Sequence, residues 1–164
     1  MTSARVDVAF PFLGMSFEEY TRTEGVRLRG ALVASFGHDT GLDAYAEACS
    51  YGWQHWERIA GMANPTGYLY QVGRNHARRR RRTAELFPAP PPEELPAFEP
   101  RLLPALAALA EQQRTAVVLV HGFGWSMADV ARLLDVSHST VRTHVARALA
   151  HLHAALEVTH ADRG

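Results

Sequence analysis

Five arginines stand in a row, Arg78, Arg79, Arg80, Arg81 and Arg82, and Arg74 precedes them by one helical turn. On a helix Arg74, Arg78 and Arg81 or Arg82 share a face. Guanidinium groups this dense repel one another, and they are stable only when solvated or set against an anionic partner. Two readings fit: a solvated helix end, where cations favour the C-terminus, and a nucleic-acid contact. A second polar group, His138, Ser139, Thr140, Arg142, Thr143 and Arg147, lies near the start of the last helical stretch. There Arg142 can bond a guanine edge through two donors, while Ser139 and Thr143 suit phosphates or either base type. His138 and His144 are read as facing DNA.

Other chemistries are poorly represented. Of the nine histidines, His144 and His151 are seven apart and His151 and His153 two apart. Neither spacing matches the i, i+4 pair that a helix offers to zinc, so no metal is expected. The single cysteine, Cys49, excludes an internal disulfide framework and a cysteine-based zinc cluster. It falls on an apolar stripe and reads as a small buried hydrophobe. No phosphate-cradling glycine loop, G-x-S-x-G or H-E-x-x-H occurs. The sequence therefore points to no cofactor and to no enzyme.

Seventeen basic and 17 acidic side chains cancel overall, but they are segregated. Residues 1–82 hold 11 arginines against eight acids, whereas residues 83–103 hold Arg101 against Glu85, Glu93, Glu94 and Glu99. The acidic stretch is rich in proline, which favours extended backbone and cannot continue a helix. It reads as a linker over residues 83–101, separating a domain over 1–82 from one over 102–164. With 47% apolar residues the chain can pack cores, yet no apolar run approaches the roughly 18 residues that span a bilayer. The opening MTSARVDVAFPFLGM shows no secretory signal pattern. The expectation is a soluble intracellular protein.

The elements that must hold these residues all read as helices, giving an all-α fold. Phe17, Tyr20, Leu28, Leu32 and Phe36 mark one helix over residues 16–36. Leu42, Tyr45, Cys49, Trp53 and Trp56 mark a second over 42–59. Asn64 then caps, and Pro65 opens, a third that carries the arginine run. In the second domain, helices are expected over 102–109 and 111–121. A third starts at Ser126, with Asp129 completing S-x-x-D. After Asp135 and a buried Val136, Ser137 caps a longer helix reaching about Leu156, whose stripe is Val141, Val145, Ala148, Leu149, Leu152 and Leu156. A short support helix, a tight turn and a longer reading helix make a helix-turn-helix.

The stretches DAYAEACSYGWQHWERI and NPTGYLYQVGRNHARRRRR, followed by LPALAALAEQQRTAVVLVHGFGWSMADVARLLDVSHSTVRTHVARALAHL, resemble bacterial RNA polymerase sigma factors of the extracytoplasmic-function (ECF) group. The first matches the family's E-x-x-x-x-x-W and W-[DE]-R-[IL], and the second its N-P-x-x-[YW]-L-[YF]-x-[VI]-x-R-N. The likeness runs from Phe17 to Leu156. It departs at Ala46, where the family often has glutamine, at Asp135, usually glycine, and at Ala110, commonly proline.

The resemblance implies promoter-directed transcription initiation as a dissociable polymerase subunit. Asp43, Glu47 and Trp53 would dock on the β′ coiled coil of core polymerase. The loop over 60–64, with Asn64, and then Arg74, Asn75, Arg78, Arg79 and Arg81 would hold the opened −10 element. His138, Ser139, Thr140, Arg142, Thr143 and Arg147 would read the −35 element, with the same domain on the β flap. Glu93, Glu94 and Glu99 of the tether would mimic nucleic acid along the polymerase surface. It implies a cytoplasmic, nucleoid-associated protein with promoter DNA and core polymerase as partners and an anti-sigma factor as a possible further one. Two rivals are a sigma-like DNA-binding regulator with weak or no core binding and a protein that sequesters another partner.

Overall fold

The computed structural model describes residues 10–86 and 101–157, with backbone alone for 82–86. Among the described residues the fold is all-α, and the chain divides into two compact units, Met1–Arg78 and Arg79–Gly164. The expected tether lies mostly outside the described residues.

The first unit holds α1 (Phe17–Thr23), α2 (Gly25–Phe36), α3 (His38–Ala60) and the start of α4 (Pro65–Leu86). The single helix expected over 16–36 is two, broken at Glu24. Just before the break, Thr21 and Thr23 turn their hydroxyls back onto the carbonyls of Glu18 and Glu19, both at 2.9 Å. Such back-bonding bends a helix. Gly37 then takes φ +81°, a conformation closed to most side chains, and reverses the chain into α3.

On α3 the expected apolar stripe is rotated. The buried positions are Gly41, Ala44, Ala48, Gly52, Trp56, Ile59 and Ala60. Gly41, Ala44, Ala48 and Gly52 are the expected Leu42, Tyr45, Cys49 and Trp53 shifted by one residue, about 100° round the helix, while Trp56 belongs to both sets. Leu42, Tyr45 and Cys49 are only half-buried, and Trp53 is 61% exposed. The reason is space. A Cβ at Gly41 would lie 2.5 Å from Val33 Cα on α2, and one at Gly73 of α4 would lie 2.9 Å from the Ala44 carbonyl oxygen. The helices approach so closely that small residues must face the seam. Cys49 is thus a flank residue, and burial pushes its thiol pKa up, against a smaller opposing effect of the hydrogen bond with Tyr45.

Aromatic rings close the end of this unit. Tyr20 and Trp56 lie 4.7 Å apart between centroids, Phe17 and Trp56 5.3 Å, and Trp56 Nε1 donates to the Met15 carbonyl at 2.6 Å. Tyr20 Oη donates to Thr66 Oγ1 at 3.1 Å, tying α1 to α4. Ser35 gives its proton to the Ala31 carbonyl at 2.8 Å, so the Tyr70 hydroxyl, also at 2.8 Å, donates to it from α4.

The second unit holds α5 (Leu102–Ala108), α6 (Glu111–Val117), α7 (Met127–Leu134) and α8 (His138–Glu157). Ala105, Leu109, Val117, Ala148 and Leu152 form one apolar cluster. The helix expected over 111–121 is α only to Val117, and a wider π-helical turn occupies Val118–Gly122. There the Phe123 amide donates to the Val118 carbonyl at 3.1 Å, five residues back.

Two substitutions separate helix propensity from packing. Propensity alone makes Gly41→Ala stabilising by about 1 kcal/mol, but the clash with Val33 backbone is expected to reverse the sign, to a loss of about 1–3 kcal/mol. Gly61→Ala, whose Cβ would meet the Arg58 carbonyl at an ordinary 3.6 Å, is expected to be near neutral. Urea unfolding followed by circular dichroism measures both.

Candidate nucleic-acid interface

In the first unit the expected DNA-facing residues follow from one start signal. Asn64 Oδ1 accepts the Gly67 amide at 3.0 Å, which caps α4 and fixes the phase of every residue after it. Asn64 is therefore half-buried and engaged in capping rather than presented outward. Arg74 is half-buried and donates to Gln71 Oε1 at 3.2 Å, whereas Asn75, Arg78, Arg79, Arg80 and Arg81 are exposed. The helix runs on past the arginines to Leu86, so residues 83–86, expected in the linker, are helical.

The expected polymerase-facing residues on α3 are not a single patch. Helical geometry puts Asp43 and Glu47 on one face and Trp53 about 120° away from Glu47. Asp43 Oδ2 lies 3.3 Å from His76 Nε2 on α4, and both side chains keep partial access to solvent. Glu47 is half-buried, and Trp53 meets Phe17 edge-on at 6.1 Å. His76 could not be foreseen, because the pair forms across two helices.

Another cluster also has no signature along the chain. Tyr51 and Tyr68 place their hydroxyls 3.3 Å apart, and Arg58 Nη2 donates to them at 3.0 Å and 3.4 Å respectively. The guanidinium carbon sits 5.6 Å from the centre of the Tyr68 ring, and the His55 ring lies 4.3 Å from that of Tyr51. His55 has non-helical φ −124° and ψ 15°, which breaks the regularity of α3 between Tyr51 and Arg58. Hydrogen bonds from Tyr51 and then Arg58 pull the Tyr68 phenol below its ordinary pKa, while the same bond raises that of Tyr51.

In the second unit Ser126 Oγ accepts the Asp129 amide at 3.0 Å, and Arg132 reaches Asp129 Oδ1 at 2.7 Å. Helix α7 ends on Asp135, whose φ 54° and ψ 49° are left-handed. The turn is thus made with an aspartate where glycine is easier. Val136, expected buried, is half-buried, because its amide closes onto the Ala131 carbonyl at 3.0 Å within a turn open to solvent. Ser137 Oγ then accepts the Thr140 amide at 3.1 Å and opens α8.

The first turns of α8 expose His138, Ser139, Arg142, Thr143 and Arg147 together, with Thr140 half-buried beside them. Ser139 and Thr140 share the Ser137 hydroxyl at 2.9 Å and 2.7 Å, and Thr143 donates to the Ser139 carbonyl at 3.0 Å. His144 departs from expectation. It stands three residues after Val141 and four before Ala148, both buried, so it turns inward, and neither buried ring nitrogen has a hydrogen-bond partner among the described residues.

Residues 101–152, from the edge of α5 through most of α8, match the protein family Sigma-70, region 4. A stretch of 96 residues is 34% identical to the ECF RNA polymerase sigma factor SigM of Mycobacterium tuberculosis, in strains Erdman and H37Rv, covering 53% of this chain and 49% of SigM. Over that stretch the chain is similar to an ECF sigma factor. It spans about half the length of the curated relatives it matches. Its fold is similar to that of two solved structures, one of them a sigma factor. RpoE from Bartonella quintana, in complex with the anti-sigma factor NepR, aligns with TM-score 0.62 and 21% identity over 87% of this chain and 98% of RpoE. CnrH, in complex with the cytosolic domain of CnrY, aligns with TM-score 0.61 and 23% identity over 93% of this chain and 96% of CnrH.

In the second unit the turn before α8 sets the attitude of the exposed face. Ser137→Ala is expected to cost about 1 kcal/mol through loss of the cap. Asp135→Val is expected to cost about 1–2 kcal/mol, since a branched side chain resists the left-handed conformation. Amide hydrogen exchange in α7 and α8 reads both effects, and Asp135→Gly should leave protection intact.

Proposed function

We propose that the chain is a promoter-specificity subunit of bacterial RNA polymerase, binding core enzyme and directing it to start sites. In this reading residues 1–82 act as a region 2-like domain, 83–101 as a tether and 102–164 as a region 4-like domain. The observation that carries it is the exposed basic and hydroxyl face at the start of α8, within a segment matching sigma-70 region 4. His138, Ser139, Thr140, Arg142, Thr143 and Arg147 would lie in the major groove of the −35 element, where a helix of this width fits and base edges are distinguishable.

Asn75, Arg78, Arg79 and Arg81, with Arg74 behind them, would hold the −10 strand, since single strands are bound by cationic grooves with polar and aromatic contacts. Asn64 would serve this surface by capping α4. Asp43, Glu47 and Trp53 would meet the β′ coiled coil, and the C-terminal domain the β flap. The chain would work in the cytoplasm at the nucleoid and supply no catalysis, the polymerase doing the chemistry. An anti-sigma partner is part of the proposal, supported by the likeness to RpoE, which was solved with NepR.

The alternative is a sigma-like regulator that binds DNA but holds core polymerase weakly. Ala46 favours it, and so does the His76 pairing that draws on Asp43. Purified core enzyme decides between them. Stable co-elution and transcripts from a fixed start on a matched promoter support the sigma reading, and DNA binding without either supports the regulator.

Two variants should leave different signatures in holoenzyme binding assays. Arg142→Ala is expected to lose about 1–3 kcal/mol of discrimination at one −35 base pair. Replacing Arg78, Arg79, Arg80 and Arg81 with glutamine is expected to weaken binding to all sequences. It should also flatten the salt dependence, by about 0.7–0.9 in log–log slope for each phosphate no longer neutralised. Equal losses on every promoter from both variants would contradict the assigned roles.

A further inference from the structure

Helix α3 carries a row of carboxylates, and two of them have a histidine for a partner. We infer that His76 tunes core docking through Asp43, so that association with polymerase strengthens as the imidazole loses its proton. The inference rests on the proposed core-binding role of α3.

Three observations carry it. First, Asp39, Asp43 and Glu47 follow one another at four-residue spacing, a slanted row that rises about 12 Å along α3. Such a row is met by cations or N–H donors on a partner, and a positive charge set among its carboxylates weakens that attraction. Second, His76 of α4 brings Nε2 within 3.3 Å of Asp43 Oδ2. At the start of the same row His38 Nδ1 lies 3.0 Å from Asp39 Oδ1, with both side chains exposed. Imidazole changes its charge between about pH 5 and 8, so protonation lowers the negative charge of the row without a change of fold.

Third, the pair can open at small cost. The side chains of His76 and Asp43 keep 25% and 40% of their surface in solvent, and pairs with such access to water add little to folding. A partner that takes the Asp43 carboxylate must displace the imidazole or sit beside its charge. Around the pair, Arg79 and Arg80 follow His76 by one turn on α4, and Asp39 and Glu47 flank Asp43 on α3. Helix α2 has no ionisable side chain after Arg29. Guanidinium and carboxylate groups ordinarily change charge outside roughly pH 6 to 8, which leaves the histidines as the groups that respond. A docked state that disfavours the protonated imidazole holds fewer protons than the free chain. Docking then releases protons and strengthens as pH rises.

The test measures the affinity of the full chain for core polymerase from about pH 6 to about pH 8. The core enzyme has titrating groups of its own, so the readout is the ratio of wild type to His76→Gln at each pH. Glutamine keeps an N–H donor for Asp43 and takes up no proton. Wild type is expected to lose about 2- to 5-fold in affinity relative to His76→Gln on acidification. His76→Lys, with a fixed cation, is expected to bind weakly across the range. In an Asp43→Asn background, His76→Gln should no longer alter the pH profile. Circular dichroism at both ends of the range should show equal helicity in all of these variants.

A ratio that stays flat with pH would overturn the inference, as would wild type that gains affinity over His76→Gln on acidification. If wild type binds core and the ratio is flat, this inference alone falls. If wild type fails to bind core at the upper end of the range, the sigma reading falls and takes the inference with it.

Discussion

At Gly41 and Gly73 the helices of the first unit meet where there is no room for a Cβ, with Val33 backbone and the Ala44 carbonyl in the way. That close approach fixes much of what the unit can present. The seam of α3 is given over to Gly41, Ala44, Ala48 and Gly52, so Trp53 is left outside and Tyr51 only partly covered. Small residues at a seam bring backbones together and displace bulk to the flanks. The aromatic surface near the end of α3 is thus a consequence of the packing. Asn64 then sets the phase of α4, and the arginines fall where that phase places them.

The second unit reaches an exposed face by a different route. Its last helix buries Val141, Val145, Ala148 and Leu152 on one stripe, which leaves Arg142, Thr143 and Arg147 outside. The cap at Ser137 and the left-handed Asp135 decide where that helix begins. The inward His144 of the same helix buries ring nitrogens that have no partner among the described residues. Unpaired buried polar groups work against stability, so the apolar stripe holds α8 in place against an internal cost.

Local signals were readable in the sequence wherever one residue acts on its own neighbours. Asn64 before Pro65, Ser126 and Ser137 all cap as their positions implied, and the arginine run extends a helix as expected. Signals that depend on a partner helix were not. The α3 stripe was displaced because periodicity records where large apolar residues recur, whereas the close seam selects small ones. The break at Glu24 and the π-helical turn at Val118–Gly122 are set by local bonding alternatives that a regular helix pattern conceals. The Asp43–His76 pair and the Tyr51–Arg58–Tyr68 cluster join residues from different helices, and no spacing along the chain announces them.

In the proposed function the two helical units address DNA in two forms, one a melted strand and the other an intact duplex. Affinity cleavage in an open promoter complex tells the two apart. Single cysteines would be introduced by Asn75→Cys and Ser139→Cys in a Cys49→Ala background, each carrying a DNA-cleaving probe. Cuts from position 75 are expected to be confined to one strand of the melted segment, and cuts from position 139 to fall on both strands of duplex upstream. Cleavage of the same segment from both positions, or cleavage of unmelted duplex from position 75, would contradict the proposed function.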